Sequence, residues 1–292
     1  VEASASDLGV VQETLLIPLA ARAAAARHWP ELGFADAIAE DLVARLDADT
    51  DRFLVDTPSM VGSILRAQWF DRLASDFIQR HPDGLCVDLG AGLDTRGQRI
   101  DACAGPGIDW IDIDLADVTR LRKALLPHHP RIRTLTADIT KGAWLDRLPW
   151  TACRPVLMMA EGVLMYLEPA AAKGLIAGIC AAADARGAAL EFAFDYASPM
   201  MVRQGRQHPS VAKTRAEFRW GLYHPRDLKR IDPRLRLVDH ADIMPFAGIL
   251  TAMMCMTYTV MSGGRLYYGL ARFRREPRPA GGADGAASRR KR

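Results

Sequence analysis

The sequence predicts an α/β protein: a doubly wound, mostly parallel seven-stranded sheet, with a helical cap before the first strand and an insertion after the fifth. Three observations carry that reading. From Leu85 onward, apolar runs of strand length alternate with helical segments, the pattern of a parallel sheet covered by helices. The first run ends in Asp88-Leu89-Gly90-Ala91-Gly92 and leads into a polar segment, the order of strand, tight turn and helix start. Ahead of it, residues 1–84 carry helical periodicity alone.

In chain order, Leu15–Trp29 is rich in alanine and leucine, and Asp36–Leu46 spaces Ile38, Leu42, Val43 and Leu46 at helical intervals. Pro58–Arg80 repeats the pattern with Ile64, Leu65, Phe70, Leu73 and Phe77, and stops at the breaker His81-Pro82-Asp83-Gly84. Strands are expected at Leu85–Leu89, Ile108–Ile113, Ile132–Thr136, Val156–Ala160 and Ala188–Phe194, then at Leu235–His240 and Leu266–Phe273. The α/β domain thus spans 85–275. Asp195–Tyr223 interrupts the rhythm with Tyr, Arg, His and Pro, which predicts a substrate-covering insertion within 195–230. Phe246–Gly264 is the longest uncharged stretch, but its threonines and terminal Gly263-Gly264 suit a buried helix better than a membrane span. Residues 276–292 are Gly-, Ala- and Arg-rich and read as a disordered basic tail.

Composition narrows the function. The 292-residue chain has a formal charge of +3, yet Arg274–Arg292 alone holds seven basic and two acidic residues, so the rest is slightly acidic. That argues against nucleic-acid binding by the body. The five cysteines form no C-x-x-C pair and read as reduced thiols, and acids precede the first apolar run, unlike a secretory signal. A cytoplasmic protein is expected, with no membrane partner. No His, Cys or acid cluster has metal-ligand spacing.

Gly90 and Gly92 allow a sharp turn and leave the main chain open to a ligand, which suggests a nucleotide-type cofactor. A dinucleotide fingerprint wants a third glycine where this chain has Thr95. S-adenosylmethionine (SAM) carries an ammonium, a carboxylate, a ribose diol and an adenine, and needs acids more than a phosphate cradle. Asp88, Asp94, Asp112 and Asp114 are available. The last two close the second strand about twenty residues past the glycines, where an acid can accept ribose hydroxyls, and alternation sends both to one face.

Asp88–Arg96, Trp110–Leu115 and Ala160–Leu167 resemble, in order and spacing, the three signature blocks of the leucine carboxyl methyltransferase family of class I SAM-dependent methyltransferases. Ile64–Asp71 resembles that family's arginine-bearing helix, and the resemblance runs from about Leu15 to Arg274. Within the family the likeness is to the bacterial branch of tetracenomycin-type polyketide O-methyltransferases, which act on small molecules. The resemblance implies SAM as cofactor, with Gly90, Gly92, Asp88 and Asp94 at the turn and Asp114 on the ribose, Asp112 in reserve. It puts Asp138 and the backbone of Ile139 at the adenine, Glu161 at the ammonium and Arg66 at the methionine carboxylate. The expected acceptor is a small, polyketide-like or aromatic metabolite methylated on a carboxylate or a hydroxyl. Its recognition is expected from Tyr166, Asp195, Tyr196, His208, Arg219, Trp220 and His224. A hydroxyl acceptor would make His208 and His224 the candidate bases. The rival readings are a protein C-terminal carboxyl methyltransferase and a nucleic-acid binder using the tail.

Overall fold

The computed structural model describes residues 12–46, 49–103, 105, 107–205 and 216–277. His208 and the tail from 278 onward lie outside the described residues.

Three helices precede the sheet: α1 (Leu16–His28), α2 (Ala37–Arg45) and α3 (Thr57–Arg80). Two of their starts are written in side chains. The Asp36 carboxylate accepts from the Ala39 amide at 3.0 Å, and Asp56 accepts from the Ser59 hydroxyl at 2.6 Å ahead of Pro58 in the first turn of α3. The apolar faces of α1–α3 bury Leu19, Leu42 and Ile64 in one cluster with Leu93 and Leu121 of the following domain. The cap is therefore packed onto the α/β layer.

The sheet contains β1 (Leu85–Leu89), β2 (Asp109–Asp114), β3 (Ile132–Thr136), β4 (Val156–Ala160), β5 (Leu190–Ala197), β6 (Arg236–Ala241) and β7 (Tyr268–Arg275) in the order 3-2-1-4-5-7-6. Every pairing among β1–β5 is parallel, and β7 is inserted antiparallel between β5 and β6. Helices α4 (Arg96–Arg99), α5 (Ala116–Leu125), α6 (Pro169–Ala185), α7 (Pro199–Gln204) and α8 (Ile249–Met261) complete the described elements. The strand order reverses between β1 and β4, so the loops leaving their carboxyl ends diverge and open a crevice there.

Two expectations change. β5 continues through Ala197, wholly buried, so Asp195 and Tyr196 are strand residues rather than the start of the insertion. The continuation follows from pairing: Ala197 lies opposite Tyr268 of β7, an antiparallel partner that extends the strand past its parallel neighbour. The uncharged stretch does form a helix, α8, but not a buried one, because Cys255 is its sole buried residue. Among the described residues no helix is long and apolar enough to cross a membrane.

Candidate cofactor and acceptor site

The turn after β1 has positive φ at Gly90 (66°) and Gly92 (52°), where a Cβ is strained. The close approach the glycines permit is by protein. A Cβ on Gly90 would sit 2.6 Å from Val163 Cγ2, in the loop after β4. The Gly90 amide donates to the Ile113 carbonyl at 2.8 Å, tying the turn to the end of β2. There the two oxygens of Asp114 accept from the Gly92 and Leu115 amides, both at 2.7 Å. Each oxygen keeps a further lone pair, and Asp114 lines the crevice. Burial pushes its carboxyl up from the ordinary range, against the pull of those two amides.

Asp112 does not line the crevice. Its carboxylate is taken by the Arg122 guanidinium and by Trp110 Nε1 at 2.7 Å, beneath the turn. Arg122 then donates from Nη1 to the carbonyls of Gly92 (2.7 Å) and Asp94 (3.0 Å). Asp112 thus reaches the turn through an arginine, which leaves Asp114 as the β2 acid that lines the crevice. Arg122 was legible in principle: it shares the buried face of α5 with Val118, Leu121 and Leu125 at helical spacing.

The crevice encloses about 300 Å³ and runs without interruption from Asp114 and Asp138 to Phe218 and Met244. At the Asp114 end, Asp138 accepts from the Thr140 hydroxyl at 2.6 Å, which with other bonds holds its carboxyl below the usual range, and Ile139 lies beside it. In the middle sits a buried ion network. Arg96 pairs with Asp71 (3.0 Å), Asp88 (3.0 Å), Asp94 (2.6 Å) and Glu161. Arg66 donates from Nε to Glu161 (2.9 Å) and from Nη1 to Asp195 and Tyr268 Oη (both 3.1 Å). Arg99 joins Asp71 and Asp36, and Arg22 joins Asp36 and the Leu93 carbonyl. Burial drives the Asp88 and Asp195 carboxyls up, whereas at Asp94 the guanidiniums of Arg96, Arg99 and Arg22 outweigh burial and hold the carboxyl down.

This network joins six carboxylates (Asp36, Asp71, Asp88, Asp94, Glu161, Asp195) to four guanidiniums (Arg22, Arg66, Arg96, Arg99). The acid surplus favours a ligand with net positive charge. SAM, whose sulfonium and ammonium outnumber its one carboxylate, meets that condition, and Asp114 suits its ribose diol. The expected site residues Arg66, Asp88, Gly90, Gly92, Asp94, Asp114, Asp138, Ile139 and Glu161 all line the one crevice.

The acceptor end differs from expectation. Of the residues proposed there, Tyr166 lines the crevice, its ring 5.3 Å from that of Phe218. Asp195 lies under Arg66. Tyr196, on the opposite side of β5, bonds His240 at 2.7 Å, and Trp220 is core. Arg219 is spent on an exposed ion pair with Glu168. His224 caps a 3-10 turn by accepting from the Arg226 amide at 3.0 Å and is not a lining residue. The wall is made instead by Gly62 and Ser63 of α3, Met165, Met201, Phe218, Met244 and Tyr268. The sequence placed Gly62 and Ser63 in an expected helix, Met165 in a signature block, Met201 and Phe218 in the expected insertion and Tyr268 in an expected strand, but nothing in it brought them to one wall.

The family model described as leucine carboxyl methyltransferase matches residues 15–180. The chain is 36% identical to the tetracenomycin polyketide synthesis O-methyltransferase TcmP of Streptomyces glaucescens, over 77% of this chain and 80% of that one. It is 29% identical to the S-adenosyl-L-methionine-dependent methyltransferase dpfgK of Gibberella zeae, with the same coverage. A solved structure, a DUF574 family protein from Streptomyces avermitilis, shares the fold at 17% identity, with a TM-score of 0.55 over 88% of this chain and 97% of that one. The chain belongs to the leucine carboxyl methyltransferase family of class I SAM-dependent methyltransferases.

Proposed function

We propose that the protein transfers the SAM methyl group to an oxygen of a small polyketide-like or aromatic metabolite. The observation that carries this reading is the two-ended crevice, charged from Asp114 to Glu161 and apolar and aromatic from Met165 to Met244. On it, Asp114 accepts from the ribose hydroxyls, Asp138 and the Ile139 backbone hold the adenine, and Glu161 pairs with the ammonium. Arg66 Nη2, which has no hydrogen-bond partner among the described residues, takes the methionine carboxylate. SAM supplies an electrophilic methyl on a sulfonium. The chain's residues align an acceptor oxygen behind it and exclude water, which direct displacement requires without a covalent enzyme intermediate. A cytoplasmic location accords with the free cysteines.

A carboxylate acceptor is favoured, because it is already ionised at neutral pH and needs placement alone. Transfer from methyl-labelled SAM to candidate metabolites, followed by mild alkali, tests this. Label released as methanol marks an ester, and an alkali-stable ether product makes the acceptor a hydroxyl. Labelling of protein C-termini in place of any small molecule would overturn the proposal.

A further inference from the structure

Helix α8 is amphipathic the wrong way round. At 100° per residue, Thr251, Ala252, Cys255, Tyr258 and Thr259 share the side turned to the body. The other side carries Ile249, Leu250, Met253, Met256, Val260 and Met261, which are 57–82% exposed. Phe246, in the 3-10 turn ahead of it, is also 74% exposed. At about 200 Å² for each large apolar residue, those six helix residues present roughly 800–900 Å². That exceeds the ~300–600 Å² largest patch of an ordinary monomer and equals the ~800 Å² each partner gives to a standard interface.

We propose that this face of α8 is covered by the same face of a second copy of the chain, making a two-fold symmetric dimer. The area is what one side of a stable dimer needs, and an uncharged helix can meet its own copy with no like-charge repulsion. A membrane surface fits poorly, since surface-binding helices carry Lys and Arg on their polar face and Phe246–Gly264 has no charged residue. The dimer would brace the acceptor wall: Met244, in the turn on which α8 packs, lines the crevice.

The test is the mass of the full chain in solution by light scattering and equilibrium sedimentation. The wild type is expected to be a dimer. Leu250→Glu with Met253→Glu, which sets like charges face to face across a two-fold contact, is expected to weaken it at least about 100-fold. Val260→Glu, a single exposed change, is expected to act in the same direction should the double variant not fold. SAM affinity is expected to be retained in the monomeric variants. A monomeric wild type, or a dimer indifferent to all these changes, overturns the proposal. So does a monomer that co-sediments with phospholipid vesicles, which would make the face a membrane contact.

Discussion

The two ends of the crevice are built on opposite principles. At the cofactor end, charged groups bond one another in defined geometry with acids in surplus, and Asp88, Asp114, Asp138 and Glu161 stand at or just past the carboxyl ends of strands. At the acceptor end, Gly62 and Ser63 of α3 meet apolar and aromatic side chains from the loop after β4, α7, residue 218, the turn before α8 and the start of β7. The lesson is that the reaction's invariant half is specified by local chemistry, whereas its selective half is specified by how distant segments happen to meet.

The change expected to separate the ends most is Arg96→Met, which leaves Asp88, Asp94 and Glu161 buried without their shared cation. Removing one partner of a buried ionic network costs about 3–5 kcal/mol, and SAM binding should fall with it. The sign of the pH effect follows. Asp88, whose carboxyl burial already drives up, loses its Arg96 partner and is raised further above its unfolded value, so the variant recovers stability as pH falls from about 7 towards about 4, and the gap to wild type narrows. Denaturant titrations across that range check it. A constant gap would show that Arg96 acts by packing on Phe70, 5.2 Å from its guanidinium, rather than by charge.

The same contrast explains what could be read in the sequence. Strands β1, β3 and β4 stand where periodicity put them, and the glycine turn and the acids Asp88, Asp114 and Glu161 converge because each lies at or just past the carboxyl end of a strand in the same sheet. Alternation alone left Asp112 and Asp114 equivalent and only the family resemblance ranked Asp114 first, because what separates them physically is Arg122 reaching over from α5. Tyr268 is a lining residue because β7 runs antiparallel beside β5, a pairing over some seventy residues that periodicity does not encode. α8 was misread for a related reason: composition records that a helix is apolar, not which face finds a neighbour.

A second, smaller effect sharpens the comparison within the cofactor end. Asp114→Ala should weaken SAM binding by about 1.5–3 kcal/mol, the worth of hydrogen bonds to a charged group. Asp112→Asn, which keeps the shape but weakens the hold on Arg122, should instead lower stability by about 1–3 kcal/mol with the lesser loss of affinity. Calorimetric titration with SAM and thermal melts on both variants distinguish the roles. If Asp112→Asn proves the worse for affinity, the acid facing the ligand has been misassigned.

The smallest effect is expected where sequence made its boldest guess, at His224. A catalytic base must reach the proton it takes, and this imidazole is spent on the Arg226 amide while its ring lies 5.7 Å from that of His240. Burial and the adjacent Arg226 push its pKa down from the ordinary histidine value. His224→Ala should cost the ~1 kcal/mol of a lost cap and leave the single-turnover methyl-transfer rate unchanged. Phe218→Ala, on the wall itself, should raise the acceptor KM by about tenfold while sparing SAM affinity and the chemical step, as loss of uniform binding does. A drop of about 10²-fold or more in the transfer rate of His224→Ala, partly restored at higher pH, would carry a base to the acceptor end after all. The acceptor would then be a hydroxyl, and the apolar end of the crevice would have to close around His224 when substrate binds.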